Sequence, residues 1–106
     1  MKKIMISQPM ANKTENEIKE TRDNFLYFAQ DNGYKVVNTL FTDEWYSDES
    51  MKKRGVRNIP LCFIAKSLEA MSLCDTVYFS RGWEATRGCK IEHEVAKAYG
   101  IKIIYE

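Results

Sequence analysis

The chain has 106 residues, enough for one domain with a modest core and too few for two. Sixteen Lys and Arg against fifteen Asp and Glu leave a net charge of +1, so no bulk field draws it to nucleic acid or to a membrane surface. No apolar run approaches the length of a membrane-spanning helix, and the opening Met-Lys-Lys-Ile-Met-Ile is interrupted by Ser7, Gln8 and Pro9 too early for a signal peptide.

Residues 2–7 form a short β-like run that Gln8-Pro9 stops. Thr14 or Asn12 then caps a helix whose first turn holds Glu15 and Glu17. Ile18, Thr21, Arg22, Phe25, Phe28 and Ala29 recur at helical spacing, and Asn32-Gly33 supplies a left-handed stop. Tyr34 onward reads as a second strand over 34–39. Residues 41–58 set Trp45 and Tyr46 among charges and read as an irregular or partly helical excursion. Pro60 suits the first turn of the next helix, whose inward stripe is Leu61, Ile64, Ala65, Leu68, Met71 and Ser72.

Asp75 ends that helix, and Thr76-Val-Tyr-Phe79 is an apolar run suited to a strand buried on both faces. In the last helix Ile91, Val95, Ala98 and Tyr99 make the predicted core stripe, Gly100 stops it, and residues 101–105 form the last strand. Strands alternating with helices predict a three-layer α/β fold, Rossmann- or flavodoxin-like, with a parallel sheet of four or five strands over residues 1–106.

In such a sheet the loops after the strands and the helix N-termini meet at the carboxyl edge, where ligands bind. Three loops are expected there: Ser7 to Lys13, with Gln8, Pro9, Met10 and Asn12; the excursion after the second strand; and Ser80 to Gly88, with Arg81, Gly82, Trp83, Glu84 and Arg87. A phosphate at the helix terminus beside Arg87 and a ring against Trp83 would suit a nucleotide. The plainer reading makes these ordinary polar loops, with Trp83 an anchor or an oligomer contact. Glu92, expected in the first turn of the last helix, is either a carboxylate able to bind or attack a sugar, or an acid that complements the helix dipole.

Cys62, Cys74 and Cys89 are an odd number without CxxC spacing, which fits free thiols in a reducing cytoplasm. Cys89 and His93 stand one helical turn apart, but two ligands alone do not make a metal site, and a packed Cys beside a surface His is the stronger reading. A position near a helix N-terminus and next to Lys90 would lower the Cys89 pKa. GxGxxG, GxxxxGK[ST] and GxSxG are all absent, so no cofactor is expected.

The segments Ile4-Met-Ile-Ser-Gln-Pro-Met10, Cys74-Asp-Thr-Val-Tyr-Phe79 and Arg87-Gly-Cys-Lys-Ile-Glu92 with Ala96 resemble the nucleoside 2-deoxyribosyltransferase-like superfamily, and most of all a short branch common in phages and bacteria. The resemblance spans nearly the whole chain, and its specific part is residues 75–100. It implies a Gly-x-x-x-Glu motif at Gly88 and Glu92, with Glu92 attacking the anomeric carbon of a nucleoside or nucleotide. Water then gives hydrolysis, and a second base gives transfer. The resemblance also implies a homo-oligomer. The chain departs from the superfamily where an aromatic hydroxyl and an aspartate are usual: those places fall near Met5 and Ser67, and Arg87 replaces an acid or serine. Glu44, Asp48, Glu84 and Glu94 are the acids available to substitute, Glu94 being the weakest candidate. A non-catalytic nucleotide-binding module and a small oligomeric interaction protein are the alternatives.

Overall fold

The computed structural model describes residues 1–38 and 47–106. Strand β1 (Lys3–Ser7) is central, pairing in parallel with β2 (Lys35–Val36) on one side and β3 (Thr76–Phe79) on the other. Strand β4 (Lys102–Tyr105) adds to β3, giving an all-parallel sheet in the order β2-β1-β3-β4. Side chains alternate across a strand, and this divides the core in two. Ile4, Ile6 and Tyr78 meet Phe25 and Ala29 of helix α1 (Glu15–Asp31) on one face. Met5, Val77 and Phe79 lie on the other, against Ala70 and Met71 of α3 (Ile59–Met71) and Ala96 of α4 (Arg87–Ala98). Right-handed crossovers require this split, because the step from β1 to β2 runs opposite to the steps toward β3 and β4. The result is the expected three-layer α/β fold.

Local signals account for the helix starts. Thr14 and Glu17 form a reciprocal capping box at α1, and Ser47 caps the short α2 (Asp48–Lys53). Asn58 caps α3, with Pro60 in its first turn. Gly33, at φ +72°, ends α1 in a conformation that disfavours a side chain. Strand β2 is described over Lys35–Val36 rather than from Tyr34: the Tyr34 N–H is used to close α1 on Ala29 O at 2.9 Å, while Val37 N–H donates to Ile4 O of β1 at 2.8 Å. The predicted strand end and Glu44, Trp45 and Tyr46 lie outside the described residues. Part of the excursion is helical, as α2.

Two predicted core stripes need correction. In α3, Leu61, Ala65 and Ser72 are exposed, and burial concentrates at Ala70 and Met71. Helix α3 runs back from the carboxyl edge toward the start of β3, so its second half packs on the sheet while its first half overhangs the strand ends. In α4 the buried stripe is Cys89, Glu92, His93 and Ala96; Ile91, Ala98 and Tyr99 are exposed. Apolarity alone favours Ile91 and Tyr99. Glu92 and His93 displace them because each finds a polar partner inside, which lowers the cost of burying a polar group.

Candidate active site

Beyond the carboxyl ends of β1 and β3 lies a cleft of about 760 Å³. Ile6, Ser7, Gln8 and Met10 form one side, Ile18 and Arg22 of α1 another, and Asn58 with Pro60, Leu61, Phe63, Ile64 and Ser67 of α3 the overhang. Thr86, Arg87, Gly88, Cys89 and Glu92 close it from the start of α4. The walls are mainly apolar, with a few polar groups, as expected of a small-molecule site. Gly88 permits the close approach of α3 and α4, since a Cβ there would come within 3.3 Å of Ile64 Cδ1.

At the floor, the Ser7 hydroxyl donates to Glu92 Oε1 at 3.0 Å. Ser7 is the last residue of β1 and shares the sheet face of Met5, so its side chain meets α4. Ser7 and Glu92 are 1% and 7% exposed, so this is a buried contact rather than a surface one. Burial pushes the Glu92 carboxyl up to about 7, and the Ser7 hydrogen bond opposes part of that rise. Glu92 is the sixth residue of α4, in the second turn rather than the predicted first. The helix begins earlier than Lys90, and the dipole reading loses its basis because that effect is confined to the end turn.

Cys89 is buried beside this pair. Its thiol is raised by burial, with hydrogen bonds to Ser7 and Thr86 opposing and the Glu92 charge adding to the rise. The predicted lowering is therefore corrected: desolvation outweighs the helix terminus. His93 is buried rather than on the surface, with Nε2 2.6 Å from the Tyr105 hydroxyl. Among the described residues no group of three metal-ligating side chains comes together.

Helix α4 also differs from the others at its N-terminus. Side chains cap α1, α2 and α3, whereas Thr86 makes no side-chain cap at α4 and its hydroxyl instead faces Trp83 O at 3.4 Å. Thr86, Arg87 and Gly88 line the cleft at this helix start, which no side chain of Thr86 caps, an arrangement suited to an anion.

Residues 2–105 match the family described as Domain of unknown function (DUF4406). The chain belongs to this family. No curated protein and no solved structure matches it. No described helix of this DUF4406 chain is long and apolar enough to cross a membrane.

Of the residues singled out from sequence, Gln8, Met10, Arg87, Gly88 and Glu92 share the cleft. Gln8 Nε2 donates to Ile18 O at 2.8 Å, which leaves its carbonyl oxygen as the group to face a ligand. Pro9, Ser80, Arg81, Gly82 and Trp83 do not line it. Pro9 is buried against Gly82, at 3.8 Å from a Cβ placed there, and the Ser80 N–H closes on Ser7 O at 3.1 Å. Arg81 N–H donates to Glu106 Oε1 at 2.6 Å. Trp83 stacks on His93 at 4.0 Å and packs against Phe79 and Tyr105, so it anchors its own loop on the β4 side of α4. Asn12 takes a left-handed turn conformation at φ 62° outside the cleft, and Asp48, Glu84 and Glu94 are exposed and also outside it.

Met5 is fully buried core, while Ser67 does reach the cleft. Ser7 and Asn58 fall within loops expected at the ligand edge but are not singled out by the sequence, and Arg22 and the α3 overhang are not anticipated there. Ser7 carried a signal, as the polar residue closing an apolar strand on its ligand-facing end. Arg22 and Asn58 carried none beyond their places in a helix and at a cap.

Proposed function

We propose that this chain cleaves the N-glycosidic bond of a nucleoside or nucleoside 5′-monophosphate, with Glu92 as nucleophile. The observation that carries this reading is a buried carboxylate at the floor of an apolar cleft, hydrogen-bonded to one hydroxyl and raised to about 7. Desolvation of this kind costs stability and is characteristic of groups kept for chemistry. The resemblance to nucleoside 2-deoxyribosyltransferase-like proteins supports the same residue. In the reaction the ionised carboxylate forms a bond to the anomeric carbon as the C–N bond breaks, and the bond pair leaves with the base, which takes a proton from water. A water molecule then attacks the sugar carbon, the ester bond returns its electrons to Glu92, and the water's second proton is released. The ring lies between the apolar walls, and a 5′-phosphate lies at Arg87 and the first N–H groups of α4.

One observation favours a second reading. Glu92 is the single carboxylate among the described residues lining the cleft, whereas glycosidic cleavage usually engages two carboxyl groups. A nucleotide-binding module would need no proton donor. Incubation with ribo- and deoxynucleosides and their 5′-monophosphates, read by chromatography for free base, decides between the two. Base release that disappears in Glu92→Gln supports catalysis. Thermal stabilisation by the same compounds without base release supports binding alone.

A further inference from the structure

The geometry points to Ser7 as the positioning residue of Glu92: its hydroxyl holds Oε1, turns Oε2 to the cleft as the attacking atom, and favours the ionised carboxylate. This inference rests on the catalytic reading only for the word attacking; the hydrogen bond and its effect on Glu92 stand without it.

A serine hydroxyl has one proton and accepts through its lone pairs. The Ser7 proton goes to Glu92 Oε1 at 3.0 Å. The Cys89 thiol is buried beside this pair, and burial pushes it up. The serine is fixed in turn by the sheet, since its carbonyl accepts from the Ser80 N–H at 3.1 Å and Ser7 stands opposite Phe79 in the parallel register. Ser7 and Glu92 are 1% and 7% exposed, so the contact from hydroxyl to carboxylate is largely withdrawn from bulk water at the edge of the cleft. The other titratable groups lining the cleft are Arg22 of α1 and Arg87 of α4; the residues of β1 and α3 that line it carry none. Ser7 is thus the group that holds the ionised form of a carboxylate that burial would otherwise keep neutral.

The test compares wild type, Ser7→Ala and Ser7→Thr by carboxyl ¹³C NMR titration of Glu92 and by base release at pH 7 and 9. Ser7→Ala should raise the Glu92 pKa by about one unit, while Ser7→Thr, which restores the hydroxyl, should return it toward wild type. The loss of kcat in Ser7→Ala should be about five-fold greater at pH 7 than at pH 9, with KM unchanged. A Glu92 titration identical in wild type and Ser7→Ala, or a kcat loss equal at both pH values, overturns the inference. If the wild type releases no base, the NMR titration alone decides: a raised pKa in Ser7→Ala upholds the role of Ser7 in ionisation and removes only the nucleophile.

Discussion

Replacing Glu92 by Gln should make the protein more stable, most of all at neutral and alkaline pH. The carboxyl titrates near 4.5 in an unfolded chain and at about 7 when folded, with burial the main cause. Between these values the folded chain keeps a proton that the unfolded chain has released, so rising pH favours unfolding. Below about pH 4.5 both states are protonated and there is no penalty; above about pH 7 the penalty is complete. At about 1.4 kcal/mol per pH unit it amounts to about 3 kcal/mol, a large share of the stability of a domain this size. The amide keeps the shape of the carboxyl and an oxygen for Ser7 but has no charge to desolvate. Urea denaturation of wild type and Glu92→Gln at pH 5 and pH 8 measures the difference directly, because every other titrating group is common to both. Glu92→Gln should be ahead by only about 1 kcal/mol at pH 5 and by about 3 kcal/mol at pH 8. An offset that does not change with pH would refute the desolvated carboxylate, and with it the physical basis of the proposed nucleophile.

Base release by the wild type should rise with pH through about 7, because the nucleophile must be ionised, and a profile falling over that range would oppose the assignment. Arg87→Ala should weaken a nucleoside 5′-monophosphate at least ten-fold more than the matching nucleoside by calorimetry, since only the former offers an anion; equal weakening would make Arg87 structural. Trp83→Ala should cost about 2 kcal/mol in urea denaturation by removing its packing on His93, Phe79 and Tyr105, with nucleotide affinity little changed. A specific loss of affinity would return Trp83 to the ligand. In the native protein Cys74, its thiol pushed up to about 11 by burial, and Cys89 should react far more slowly with a thiol reagent than after unfolding, as followed by mass spectrometry.

The layers of the fold were legible because β1, β3 and α1 carry consistent signals. Thr76 to Phe79 is an almost unbroken apolar run buried on both faces, and Thr14 with Glu17 announces a helix start. The inward face of α4 was not legible. Its buried stripe contains a carboxylate and an imidazole, and apolar periodicity has no means of anticipating that Ser7 and Tyr105 will pair with them. Trp83 failed for a related reason: the topology put its loop at the ligand edge, but three aromatic partners on β3, α4 and β4 drew the ring the other way. Where β1 and the start of α4 converge, the rule of ligands at strand ends brought Gln8, Arg87, Gly88 and Glu92 into one cleft. The overhang from α3 needed the structure, because an exposed Leu61 is indistinguishable in sequence from a buried one.

The nucleophile itself is tested most directly by trapping. A 2-fluoro-arabino nucleoside slows breakdown of a glycosyl ester more than its formation, so the intermediate accumulates and its peptide can be sequenced by mass spectrometry. Wild type should gain the mass of one fluorinated sugar, carried on Glu92, and Glu92→Gln should gain none. Base release from an enzyme that carries no sugar, or carries it on another side chain, would contradict the account.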